Sequence, residues 1–490
     1  MSWLATVALS SDTDAPDWVA AMSYHNASVD FFDNTKGLKS DNNGRCVFSG
    51  NGSPGTGIGC LSEFGGFTAI SGSNGYTVSG GGVYSPEAIL TKDNNGTVYG
   101  IYTLTHDSTV PGSTTQSFTV LSFNSSTGAT TLFTYGRGDY SFSDAPTTTM
   151  TSGGFDSSNN FYAVGRIRQS GGYEYPYLIK YNSSAVIQWS KALQPSQNQY
   201  SGSGYTTLAS SVVVDSSGNS YVAVLHYTNP PATTNVIKLL KYNSSGVQQW
   251  VREINSSEGI GLSTTDGTNV YAISNNSVLV AYSCSSGAIA WERTLTNADG
   301  SSFGGNNGSV ELYSGNLYSS YHKSDGSNVL AKLNTSGTLD WGREIDIPSP
   351  PVGTGFNTGK IRDVVSNKMY LFFEGPVSQS VTAFKLPIDG SKTGTHTLAN
   401  LPSYGGAEPY TYTMYDFDIV YSSKSLAANT TSTITSTSSS LSDTSTSGFT
   451  KADAVKFELG VSLNKAQIQS ARAPSNVNDP VTIAEKRDIN

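Results

Sequence analysis

One hairpin, written several times over, dictates what this chain can become. Residues 177–193 read as a short alternating strand, an Asn-Ser-Ser turn and a second strand carrying Trp189. The same pattern returns at 237–254, 280–295 and 330–345, with Trp250, Trp291 and Trp341 in register, and a copy without Trp occupies 120–133. A second hairpin precedes each copy, clearest at 212–224. Related forms stand at 89–101, 154–164 and 265–273, and weaker ones at 38–48, 310–320 and 361–371. Alternating apolar runs around Gly- and Asn-rich turns are the signature of antiparallel strands.

Two hairpins per unit make four strands per unit, and the tryptophans recur about 40 to 60 residues apart, the size of a propeller blade. Counting first hairpins from residue 38 to about 401 predicts an all-β propeller of about seven four-stranded blades; six or eight also fit. Trp18 ends a repeat whose start is missing, and residues 410–421 read as a strand without a partner. A ring must remove its sheet edges, so closure is expected between residues 17–25 and 410–422. The expected organisation is an N-terminal segment over 1–16, the propeller over 17–426, a Ser/Thr-rich linker over 427–448 and a docking extension over 449–490. In that extension Val455, Phe457 and Leu459 alternate onto one strand face. A lone strand cannot bury that face by itself, so it is the candidate anchor, onto the ring or onto a partner.

The pattern Ala281-Tyr-x-x-x-x-Gly287-x-x-x-Trp291 resembles the repeat of quinoprotein-like (PQQ-type) β-propellers. That resemblance implies that Trp18, Trp189, Trp250, Trp291 and Trp341 dock one blade against the next. For enzymes of the class it also implies a quinone pocket with metal-ligating carboxylates, a catalytic Asp and cationic groups. The acidic residues Asp41, Asp93, Asp215 and Asp325 fall instead in turns, where Asp belongs for local reasons. Asp41-Asn-Asn-Gly44 and Asp93-Asn-Asn-Gly96 lack the closing Glu of a calcium loop. The five histidines are scattered, and neither a Gly-x-Ser-x-Gly elbow nor a phosphate loop is present. No catalytic residue, metal ligand or cofactor is therefore assigned.

Composition narrows the class further. Charged residues make up 13% of the chain, Gly numbers 51, and Tyr and Phe number 28 and 19. So many aromatics with so little charge argue against disorder, and the abundance of Gly and of cap-forming residues argues against long helices. The net charge is −9 without a basic cluster, which makes nucleic acid a poor partner, and no apolar run approaches a membrane helix. The N-terminal segment makes a weak signal peptide. Cys46 and Cys60 could bridge in an oxidising compartment, although three small buried thiols are the simpler reading. Tyr173, Tyr175, Tyr177, Tyr410 and Tyr412 are candidate surface-binding residues, since Tyr offers wide contact and a hydroxyl. Together these features resemble a non-enzymatic structural or adsorption protein of a virus particle, such as a phage tail, fibre or spike component. Its expected partners are other virion proteins, a host receptor or a glycan, its expected state a homo-oligomer, and its expected location the virion. A secreted or cell-surface bacterial propeller is the alternative, and a quinone-dependent dehydrogenase the third reading.

Overall fold

The turns explain why the strands stop where they do. Asp41, Asp93, Asp156 and Asp215 each use Oδ1 to accept two backbone N–H groups, two and four residues ahead, at 2.8–2.9 Å. Asn182, Asn243 and Asn334 cap the second hairpins in the same way. Short Asx turns of this kind reverse the chain at little cost. Four tyrosines in the following strands, Tyr99, Tyr162, Tyr221 and Tyr271, then donate to the carboxylates of Asp93, Asp156, Asp215 and Asp266.

The computed structural model describes residues 4–9, 18–23, 37–50, 57–61, 67–72, 76–77, 83–84, 89–107, 114–125, 130–138, 147–168, 174–194, 207–227, 235–255, 260–274, 278–324, 326–346, 357–374, 380–391, 393–398, 417–429, 435–438, 442–445, 449–451, 455–456 and 468–472. Among them every regular element is a β-strand. Antiparallel four-strand meanders occupy 37–72, 89–138, 147–194, 207–255, 260–297 and 304–346. The last meander has three strands of its own, Asn357–Val365, Lys368–Glu374 and Ser380–Pro387. Its fourth is Trp18–Ser23, paired so that Trp18 faces Lys385 and Ser23 faces Ser380. First strands pack in a cycle: Gly37–Ser40 on Ile89–Lys92, then Thr147–Phe155, Thr207–Val214, Ile260–Thr265, Gly304–Tyr313, Asn357–Val365, and back onto Gly37–Ser40. The molecule is a closed β-propeller built of four-stranded units.

Two sequence expectations need correction here. Strand pairing yields six sheets of four or more strands, not about seven. The largest, of eleven strands, runs through the 89–138 and 147–194 meanders, which a single parallel bridge, Gln116 to Thr147, joins. The closing partner of the N-terminal strand is Ser380–Pro387, not 410–422, because the final meander lacks a fourth strand and offers the open edge.

The meanders between residues 147 and 346 bury both faces, so their inner strands read as continuous apolar runs rather than alternating ones. Phe161 and Ala163 face the 89–138 sheet, while Tyr162 and Val164 face the 207–255 sheet. Similar cores lie between the next three pairs of sheets.

The C-terminal tail then runs back round the rim. Phe417–Ser423 pairs with the outer strand Leu339–Asp346, Leu426–Asn429 with Ile289–Asn297, Thr435–Ser438 with Gln248–Asn255, Ser442–Ser445 with Ile187–Gln194, and Phe449–Lys451 with Thr130–Gly138. Val455–Lys456 joins Tyr76–Thr77, and Ile468–Arg472 lies parallel to Leu4–Leu9 beside the closing strand. The 427–448 stretch, expected as a linker, thus contributes to added outer strands on three meanders. From Phe417 to Phe449 successive rim strands begin seven to nine residues apart, an extended span of about 23 to 30 Å at roughly 3.3 Å per residue.

Candidate functional site

Each meander continues in sequence into the next, and the chain break falls inside the last one, between its own three strands and Trp18–Ser23, which leads on to Gly37–Ser40 of the first; the last and first meanders therefore meet at the seam of the ring. That junction carries a cluster of charges at the ring axis. Asp363, on Asn357–Val365, accepts the Ser40 amide and hydroxyl on Oδ2 at 2.9 and 2.8 Å. Lys92, ending Ile89–Lys92, reaches the same oxygen at 2.7 Å and the Ser40 carbonyl at 3.3 Å. Lys39 donates to the Arg362 carbonyl at 2.6 Å and to Glu311 Oε1, on Gly304–Tyr313, at 3.1 Å. Four first strands are thereby tied together around one carboxylate pair.

The same position is simpler elsewhere in the ring. Ser152, Ser211 and Asp363 each follow a bulge in a first strand. Bulges bend a strand and re-aim its side chains. Ser152 Oγ accepts the Val212 amide and Ser211 Oγ the Leu262 amide, each from the next first strand. Between the last and first meanders an acid with two lysines stands where serine suffices between the other neighbours.

The electrostatics fit a clasp. Burial alone would raise the Asp363 carboxyl, but Lys39 and Lys92 outweigh it and hold the group below the usual carboxylate range. Burial lowers Lys39, yet Glu311 and Asp363 more than compensate and keep it firmly charged. Glu311 carries the desolvation and sits above its usual range despite Lys39. Cys46, a free buried thiol, is pushed well up by burial and then by Asp363; the bridge to Cys60 considered from sequence is not formed.

Further out, the tryptophans meet the turns of the next sheet. Trp189 Nε1 donates to the Ser244 carbonyl at 3.1 Å, Trp250 Nε1 to Cys284 at 3.2 Å and Trp291 Nε1 to Thr335 at 2.9 Å. Lys180 and Lys241 add bonds to the first two of those carbonyls. Arg252, Arg293 and Arg343, two residues beyond their tryptophans, donate to Ser286, Gly337 and Gly390. Close approach needs glycine: a Cβ on Gly246 would lie 2.8 Å from the Trp189 ring, at a φ of +78°. Trp341 packs over Gly390 but leaves its Nε1 buried without a partner.

Other sequence candidates fall as follows. Trp18 lies in the closing strand, with its side chain outside the described residues. Tyr177 is no surface residue: it is fully buried between sheets, since both sheet faces are covered at its strand. Tyr175 belongs to Glu174–Tyr181 with its side chain undescribed, and Val455 pairs with Thr77. Tyr173, Tyr410, Tyr412, Phe457 and Leu459 lie outside the described residues. Sequence reasoning missed Lys39, Lys92, Glu311 and Asp363. Lysine inside the short first strands Gly37–Ser40 and Ile89–Lys92, just before the turn Asp, where the units ending at Asp156, Asp215 and Asp266 carry Gly, Phe, Val or Thr, was the available signal.

A quinone with its metal, which the repeat resemblance implies, needs an open set of carboxylates and cations. The axial set does not fit, since Asp363, Lys92, Lys39 and Glu311 are bonded to one another and to backbone. No family model matches the chain. No curated protein matches it either. Among solved structures, BamB from Moraxella catarrhalis aligns at 14% identity over 76% of this chain and 92% of that one, with a TM-score of 0.36. Quinohemoprotein alcohol dehydrogenase from Comamonas testosteroni aligns at 10% identity over 78% and 79%, with a TM-score of 0.39. The propeller assignment rests on the strand pairing and ring packing described above.

Proposed function

We propose that this chain is a non-enzymatic binding and display propeller, a structural or adsorption component of a virus particle, whose contacts are made by the disc faces. The eleven-stranded sheet is counted as two blades in this reading, giving a ring of seven. One observation carries it: the tail lies along the outer strands of sheet after sheet, so the long fourth strands are already paired and the rim edges that remain belong to short strands. Contacts are left to the turns and loops, where binding residues normally reside. Two neighbouring turn tips present exposed apolar side chains, Val186 and Val247, at 54% and 56% exposure. Repetition of such weak contacts over several copies would multiply them into useful avidity.

The test is binding of fluorescent protein to host envelope fractions and glycan arrays, with Val186→Ser/Val247→Ser alongside. Saturable binding weakened about tenfold in the double variant supports the reading. Absence of binding to every fraction, or dye reduction that appears on adding quinone and calcium, contradicts it.

A further inference from the structure

The seats that hold the tail are copies of one another. On three outer strands the ladder starts two residues beyond the junction tryptophan: Lys191 faces Ser445, Arg252 faces Ser438 and Arg343 faces Ser423. Each runs four residues, ending at Gln194 with Ser442, Asn255 with Thr435 and Asp346 with Val420. The occupants match as well, closing on Thr444-Ser445, Thr437-Ser438 and Ser422-Ser423. A ladder recognises backbone, so a seat of this kind does not distinguish one extended Ser/Thr segment from another.

The first crossing is riveted by side chains. Tyr421 is buried, Lys424 Nζ lies 2.7 Å from Glu344 Oε2, and Leu426 and Ala428 pack against the core between the 260–297 and 304–346 sheets. Gly342 leaves room for this, since a Cβ there would fall 2.5 Å from the Lys424 carbonyl. From Asn429 to Arg472 a fully extended chain spans about 140 Å.

We propose that the rim is also an interaction surface between copies of this chain: the tail beyond Asn429 leaves its own Trp250 and Trp189 seats and occupies the same seats on a second ring, reciprocally. Exchange breaks and remakes identical ladders, as in domain swapping. The balance is then set by concentration against an intramolecular tail whose effective concentration is on the order of millimolar. Dilute rings stay closed on their own tails; rings crowded in an assembly become linked. The inference does not depend on the proposed display role.

The experiment uses full-length protein. Leu193→Cys/Asp443→Cys, at a paired position, is oxidised at low concentration to lock the tail onto its own ring, and Ile254→Cys/Ser436→Cys supplies an independent lock. Donor- and acceptor-labelled batches are mixed at roughly millimolar concentration, diluted and separated by size. Expected are dimers carrying both labels and showing energy transfer from the unlocked chain, none from either locked form, and recovery of exchange on reduction. Unlocked protein that stays monomeric with no mixed species overturns the inference. So does locked protein that dimerises equally well.

Discussion

Asp363 shows how one side chain can hold a ring shut. It is nearly buried, with 6% of its side chain exposed, and pairs with Lys92. Replacing it by Asn leaves Lys92 without its carboxylate, at a cost of about 3 kcal/mol, the lower end for breaking a buried pair. Its pKa is depressed in the fold. Its contribution is therefore complete above the ordinary carboxylate range and is lost as pH falls through the lowered value. Urea denaturation should show wild type and Asp363→Asn separated at neutral pH and converging below about pH 4. Glycine offers a second residue-scale test. Gly246 and Gly267 share a positive φ, +78° and +82°, but only Gly246 faces a ring; nothing lies within 4 Å of a Cβ on Gly267. Gly267→Ala should cost about 1 kcal/mol from backbone strain alone, and Gly246→Ala about 3 kcal/mol, because its Cβ must also displace Trp189. The clasp was not legible in the sequence. Lys39 and Asp363 stand more than three hundred residues apart, and no local pattern says that two such strands meet.

Elements were read better than single residues, for a physical reason. A strand–turn–strand unit is specified locally, by alternation and by an Asx residue that caps its own turn, so the hairpins around Asp93, Asp156, Asp215, Asn182 and Asn243 are visible as text. The rim strands are not. Thr435–Ser438 and Ser442–Ser445 carry no apolar alternation, and their strand character comes from the ladder each makes to Gln248–Asn255 or Ile187–Gln194. Composition alone therefore reads as linker. The junction tryptophans give a prediction at this scale. Trp291→Phe removes a bond to the Thr335 carbonyl, whereas Trp341→Phe removes an indole N–H that already lacks a partner. Thermal denaturation should place Trp291→Phe below Trp341→Phe by an amount equivalent to about 1 kcal/mol. Equal losses would mean that the ring contributes by packing alone.

At the scale of the whole molecule, the chain closes its ring twice, once through Trp18–Ser23 in the last sheet and again through the tail that ends beside Leu4–Leu9. The sequence announced a ring and an N-terminal strand in search of a sheet, but it misplaced the partner. Phe417–Ser423 looked like an orphan edge because one of its partners, Leu339–Asp346, already belonged to a complete hairpin, and the other, Gly394–Leu398, precedes it outside the repeat. Long-range closure of this kind makes the termini structural, so deleting residues 1–23 should expose the Ser380–Pro387 edge and yield aggregating protein. The most direct test of closure is a cross-link between Ala20→Cys and Ala383→Cys, which face each other across the closing ladder. Mild oxidation followed by peptide mapping should find the two introduced thiols joined within a single chain, in near-complete yield and with the far-UV spectrum unchanged. Thiols that stay free, or that link only between different chains, would contradict the closed ring.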